Sequence, residues 1–363
     1  MKEENIQSRR AFLEKMTPLA SGIFVAGSIT QSLAQAPENT DVISVSGSII
    51  KAPEIDEKKF IPVMVTPYNM NSRIDFDQVS RLVDFYLAAG AKGFFANCLS
   101  SEMYFMDDRE RIALTQHVVK YINGRVPVVS TGSFGRKIKD KADFTKKIHD
   151  TGVDAVILIS SHFAEKGDSD DIMMKNFERF FEHTGEIRLG TYECPSPYKR
   201  VISPEVFKFL VDNERLIYHK DTSEDIKQIE VKLDLLRGSQ MELYNAHTAS
   251  GLKALQMGAK GMSPISGNFY PEIHSWLCEN ADNQSKAADA SWIQGEIAQM
   301  EPVISKYYPI SSKYFLQKRG LSIEIISRSN KRALPIEQKL ILNDVYKTFL
   351  GWCERLNINP VTL

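Results

Sequence analysis

The sequence predicts a (β/α)8 barrel with a C-terminal helical extension. Three observations lead there. Eight short apolar runs, each bounded by turn residues, follow one another from residue 60 onward. Segments of helical periodicity separate them, so strand and helix alternate as in a parallel sheet. No Gly-x-Gly-x-x-Gly follows the first run, which removes the main signature of the rival doubly wound sheet.

Taken in order, the expected strands are Ile61 to Thr66, Gly93 to Cys98, Val126 to Thr131, Ala155 to Ser160, Ile187 to Tyr192, Leu216 to Lys220, Glu242 to Ala246 and Gly261 to Ile265. Their starts lie roughly 20 to 35 residues apart, the size of one strand-plus-helix unit. The first intervening helix is marked by Val79, Leu82, Val83, Tyr86 and Leu87, which fall on one face. Gly90 sits just beyond it, where a left-handed cap is easiest for glycine. Val118 and Val119 precede Gly124, and Phe177, Phe180 and Phe181 precede Gly185, in the same manner. Past Asn283 the strands stop, and residues 287–305 and 336–355 read as long helices.

Ahead of the barrel, Ser8-Arg9-Arg10-Ala11-Phe12-Leu13 resembles a twin-arginine export signal. The apolar stretch from Leu19 to Leu33 is too short and too weakly apolar to span a membrane. Ala34-Gln35-Ala36 offers a small-residue cleavage pattern. The expected organisation is therefore a signal over 1–36, a linker over 37–59, the barrel over 60–282 and the helical region over 283–363. Such a protein would work in a bacterial periplasm or envelope, with no membrane span in its mature form.

Composition narrows the function. The 363 residues are 43% hydrophobic and 25% charged, a globular balance. Lys and Arg total 45 against 46 Asp and Glu, so no basic excess exists to hold nucleic acid. Cys98, Cys194, Cys278 and Cys353 lie far apart, and neither Cys-x-x-Cys nor His-Glu-x-x-His occurs. No metal site is expected.

In a barrel of this kind, chemistry sits where the strands end. Strand six ends in Lys220. Strand residues alternate in facing, so Leu216, Tyr218 and Lys220 share one face. If that face points inward, apolar walls surround the amine and lower its pKa from ~10.4. A neutral amine can attack a carbonyl and form a Schiff base. The competing reading pairs Lys220 with Asp221 or another carboxylate. Tyr192, ending strand five, can move protons or merely pack.

Tyr192-Glu193-Cys194-Pro195 is followed, 28 residues on from Tyr192, by Lys220-Asp221-Thr222-Ser223 and then Asp225. This order resembles the dihydrodipicolinate synthase / N-acetylneuraminate lyase family of class I aldolases. Ile61-Pro62-Val63-Met64-Val65-Thr66-Pro67 is similar to that family's opening strand, and Leu99-Ser100-Ser101-Glu102 to its [ST]-T-G-E loop. Gly258 to Gly261 with Ser263, Asn268 and Pro271 is similar to its strand-eight region. The resemblance spans about residues 60 to 350. It implies that Lys220 forms an imine with a 2-oxo acid such as pyruvate, that Tyr192 shuttles protons, and that Ser100 and Ser101 hold the substrate carboxylate. Ala246 and Ser263, at the ends of strands seven and eight, join them in substrate binding. It further implies a homo-oligomer, tetramer or dimer, with no metal or organic cofactor beyond the covalent imine.

The departures matter equally. Leu99 stands where the synthases carry a proton-relaying hydroxyl, and Phe163 where a neighbouring subunit lends a tyrosine. Pro197 replaces the arginine that holds the second substrate's carboxylate, although Lys199 and Arg200 follow. Glu193 replaces an asparagine, and His247 an acidic residue. The expected function is a lyase or aldolase joining or splitting a 2-oxo acid and an aldehyde, with Glu193, His162 and His247 shaping the second pocket. A 2-keto-sugar-acid dehydratase and a silent 2-oxo-acid-binding protein are the alternatives. Glu102 and Asp221 are expected to be structural. An oxidising compartment would permit a Cys98–Cys194 disulfide.

Overall fold

The computed structural model describes residues 57–362. The expected signal and most of the expected linker lie outside the described residues. Eight parallel strands form one sheet in the order β1-β8-β7-β6-β5-β4-β3-β2. They are β1 Lys59–Phe60, β2 Phe94–Phe95, β3 Val128–Thr131, β4 Ala155–Ile159, β5 Leu189–Tyr192, β6 Leu216–Asp221, β7 Glu242–Asn245 and β8 Gly261–Met262. The sheet curls into a barrel, and a single bridge between Val63 and Phe95 joins its two ends.

The first strand is shorter and earlier than the sequence predicts. Pro62 has no N–H to give to a ladder, so the regular pairing stops at Phe60. Residues 61–64 still touch both neighbours. Ile61 N donates to Met262 O at 2.9 Å, and Phe95 N donates to Pro62 O at 3.0 Å. Strand eight likewise stops at Met262, ahead of Pro264.

Helices wrap the sheet: α1 Phe76–Ala88, α2 Asp108–Ile122, α3 Ile138–His149, α4 Asp170–Thr184, α5 Pro204–Val211, α6 Ile226–Leu235, α7 Gly251–Gln256 and α8 Pro271–Asn280. Several of their starts are fixed by side chains that satisfy free N–H groups. Asp75 accepts from Gln78 N before α1, Ser203 from Val206 N before α5, and Asp225 from Lys227 N before α6. Gly90 closes α1 at φ +91°, as its position predicts. No described helix is long and apolar enough to cross a membrane.

The barrel interior is filled by rings. Tyr218 stacks on Tyr244 at 4.6 Å, and Phe95 meets both Tyr192 and Tyr218 edge-on. Gly190 makes this possible, since a Cβ there would stand 2.8 Å from Tyr218 Cβ. Phe163 packs on Phe177 at 4.1 Å, outside the barrel's interior.

The extension holds α9 Ala287–Ile304, α10 Ile310–Lys318 and α11 Ile336–Leu356. The short α10 is absent from the sequence reading. The loop before α11 ties back to the barrel. Arg328 donates to Ser72 O at 2.7 Å and to Phe105 O at 3.0 Å, and pairs with Glu110. Glu102, at φ +64°, accepts from Lys313, Ser327 Oγ, Arg328 N and Ser329 N. It is the structural carboxylate the sequence leads one to expect.

Candidate active site

A cavity of about 530 Å3 opens at the C-terminal ends of the strands. Its floor belongs to the barrel and one wall to the extension.

Lys220 lies at the floor, 3% exposed. Its Nζ sits 4.6 Å from the centre of the Tyr192 ring and 5.7 Å from that of Phe95. Among the described residues, no carboxylate pairs with it. Burial therefore lowers its pKa to about 8. At pH 7 such a shift raises the neutral fraction roughly 300-fold over an ordinary lysine.

The competing pairing with Asp221 is excluded by strand alternation. His219 and Asp221 point outward, toward α5 and α6. There Lys232 of α6 places its ammonium between Asp221 and Glu193. All four groups are buried. Burial opposes ionising Asp221, but its contacts to His219 and Lys232 hold it well below the carboxylate range. Glu193 also accepts from Ile202 N at 2.8 Å and Thr222 N at 3.0 Å. Glu193, His219 and Asp221 could by spacing hold a metal, yet the Lys232 ammonium already bridges the two carboxylates. Glu193 is thus a brace behind the strands and does not shape the second pocket.

Tyr192 lies inside, beside Lys220, with its hydroxyl kept protonated by burial. Two more groups reach it. The Cys194 thiol lies close to Tyr192 and Tyr104, and burial pushes its pKa up to about 11. Tyr104 Oη lies 3.1 Å from His162 Nε2 and donates to Ser196 O at 2.7 Å. His162 rests on Ser133 O at 2.7 Å. It stands behind Tyr104 and does not line the cavity. All four cysteines are free and buried, so no Cys98–Cys194 disulfide forms here.

Ser100 lines the cavity, its hydroxyl against Tyr308. Ser101 does not. Its hydroxyl donates to Met64 O at 2.7 Å and Ala96 O at 2.9 Å, and its N–H to Cys98 O at 3.1 Å. It shapes the loop and has nothing left for a substrate. Ala246, His247 and Ser263 line the cavity as expected, and Leu99 offers only an apolar surface.

No arginine lines the cavity among the described residues. Arg200 turns away to Asp170 at 2.7 Å. Lys199 reaches the cavity but pairs with Glu224 at 3.0 Å.

The match to known proteins is extensive. The model of the dihydrodipicolinate synthetase family covers residues 56–345. This chain belongs to that family. It is an enzyme of the oxo-acid lyase type, with the class I aldolase barrel. A 4-hydroxy-tetrahydrodipicolinate synthase of Bacillus subtilis is 26% identical over 261 residues, 72% of this chain and 88% of that one. The fold matches a dihydrodipicolinate synthase from Bacillus anthracis with TM-score 0.72 at 23% identity, covering 81% of this chain and 99% of that one. It also matches the synthase of Acinetobacter baumannii complexed with pyruvate, with TM-score 0.71 at 20% identity, covering 80% and 98%.

Among the cavity residues that sequence reading missed are Tyr104, Thr248, Glu301, Ser305 and Tyr308. Tyr104 could have been found, since it lies in the loop after strand two. The last three come from the extension, where no strand end marks them.

Proposed function

We propose that this protein is a Schiff-base lyase or aldolase that adds pyruvate, or another 2-oxo acid, to an aldehyde and reverses that addition. The observation that carries this is the buried, unpaired Lys220 amine facing the Tyr192 ring at the cavity floor.

The neutral Nζ attacks C2 of the 2-oxo acid, and the oxygen becomes a hydroxyl. Tyr192 gives a proton to that hydroxyl, which leaves as water, and the imine forms. In cleavage, the Tyr192 phenolate left by that step takes the proton of the substrate's C4 hydroxyl, and the C3–C4 bond breaks. Its electron pair flows into the iminium, giving an enamine and a free aldehyde. Protonation at C3 and hydrolysis return pyruvate and Lys220. The covalent imine itself serves as the electron sink, with no separate cofactor. Ser100 meets the substrate carboxylate, and Ala246 and Ser263 complete its pocket. Cys194 and Tyr104 carry protons between Tyr192 and His162, in place of the hydroxyls missing at Leu99 and Phe163.

Condensation with an aldehyde that bears its own carboxylate, as the relatives' synthase names would suggest, is disfavoured by Pro197 and by the outward turn of Arg200. We further propose export through the twin-arginine signal and assembly as a homo-oligomer, for which exposed Met70 and Phe105 offer apolar surface. Borohydride trapping with pyruvate, followed by peptide mass spectrometry, tests the reading. An adduct on Lys220 is expected. No adduct with any 2-oxo acid would overturn it. Product analysis separates cleavage, with two fragments, from dehydration, with one.

A further inference from the structure

The wall opposite the barrel floor carries a carboxyl group that the reaction above does not use. Glu301 stands in the last turn of α9 and lines the cavity. Its Oε2 accepts from Thr248 Oγ1 at 2.9 Å. Thr248 Oγ1 lies 2.8 Å from Ser266 Oγ, which lies 2.9 Å from His274 Nε2. Thr248 follows β7, Ser266 follows β8 and His274 belongs to α8. Gln294 of α9 fixes the helix over them, donating to Thr248 O at 2.8 Å and accepting from Leu252 N at 2.7 Å.

This line of groups has a direction. His274 is fully buried, and burial lowers its pKa to about 3, so the ring is neutral. With its proton on Nε2, His274 donates to Ser266, Ser266 to Thr248, and Thr248 to Glu301. Every donor is consumed up to Oε2, and Oε1 is left for the cavity. Burial raises the Glu301 pKa, against its hydrogen bond from Thr248. Oε1 therefore offers an acceptor to the cavity. Its complement is a hydroxyl donor rather than a second carboxylate, which it would repel. The rest of the wall agrees. Lys199 is neutralised by Glu224, no arginine lines the cavity among the described residues, and Ser305 and Tyr308 add further hydroxyls beside Glu301.

We propose that Glu301 determines the specificity of the second half of the site, binding a hydroxyl group of an uncharged, hydroxylated aldehyde. The inference rests on the aldolase reading for the identity of the ligand as a substrate. The hydroxyl-binding site itself does not depend on it.

Two measurements on the purified protein test it. The first is saturation-transfer NMR with threitol against 1,4-butanediol, which needs no turnover. Threitol is expected to bind the wild type more tightly, and Glu301→Ala to erase roughly a tenfold preference. Equal binding of the two, or an unchanged preference in Glu301→Ala, would overturn the proposal. The second is the rate of pyruvate addition to glyceraldehyde against propionaldehyde. Glu301→Ala is expected to lower kcat/KM roughly tenfold for glyceraldehyde and to leave propionaldehyde within about twofold. Glu301→Gln, which keeps a donor and an acceptor, should retain most of the preference. An equal fall for both aldehydes would mark a structural role and overturn the proposal. Loss of the Lys220 adduct in the wild type would sink the aldolase reading while leaving the polyol result to decide this one.

Discussion

Strand β6 buries charge on both faces and treats it in opposite ways. On the inner face, Lys220 has rings for neighbours and no carboxylate, so burial favours the neutral amine. On the outer side, Lys232 is as deeply buried but sits between Glu193 and Asp221, whose charges raise its pKa against burial. Burial alone does not make a lysine reactive. The partner decides. The same enclosure favours a neutral amine where anions are excluded and a charged brace where they are supplied.

Removing each lysine should give different losses. Lys220→Ala should abolish the borohydride adduct and lower kcat by at least about 10^3-fold, with little change in the thermal midpoint. A residual adduct elsewhere in the chain would break the comparison. Lys232→Met should destabilise folding by about 3–5 kcal/mol in urea titration, because two buried carboxylates lose their counter-charge. Replacing Glu193 and Asp221 by neutral residues in that variant should recover much of it. Tyr192→Phe should cost kcat roughly 10^2-fold, with the adduct still trappable at long times.

The pH profile sharpens the contrast further. Imine formation should follow a group with a pKa near 8. Below that value the amine is protonated, so the rate should fall about tenfold per pH unit as pH drops, and level off above it. An inflection near 10 would mean that Lys220 is not desolvated in solution. The smallest effect concerns Cys194. Cys194→Ala should slow turnover by roughly tenfold, Cys194→Ser should restore most of it, and trapping with pyruvate should be unchanged in both.

The floor of the site was legible because strand alternation is a strict rule. It put Leu216, Tyr218 and Lys220 on one face. The same rule, applied one residue past Tyr192, would have placed Glu193 outside the barrel, with His219 and Asp221. Glu193 stands where the family carries an asparagine, and that replacement by itself suggests an altered pocket. Ser101 was misread for another reason. Its hydroxyl is spent on Met64 O and Ala96 O, and such loop bonds leave no periodic trace in a sequence. Glu301 was illegible because it reaches the cavity from a helix beyond the last strand. Only the packing of α9 on the turns after β7 and β8 brings it there.

The loop around Arg328 bears on how the molecule comes into being. The barrel's two ends meet at one bridge, Val63 to Phe95, the thinnest seam in the sheet. Arg328 and Ser327 fasten both sides of it, across sequence separations of 256 residues to Ser72 and 225 to Glu102. A chain emerging from the ribosome makes the two sides of the seam early and the fastener late. Nascent barrels lacking residues 327–329 should therefore stay open along β1 and β2, exchange their amide protons there and expose the rings around Lys220 to chaperones. On this expectation, translation order makes the dry surroundings of Lys220 one of the last things this protein acquires.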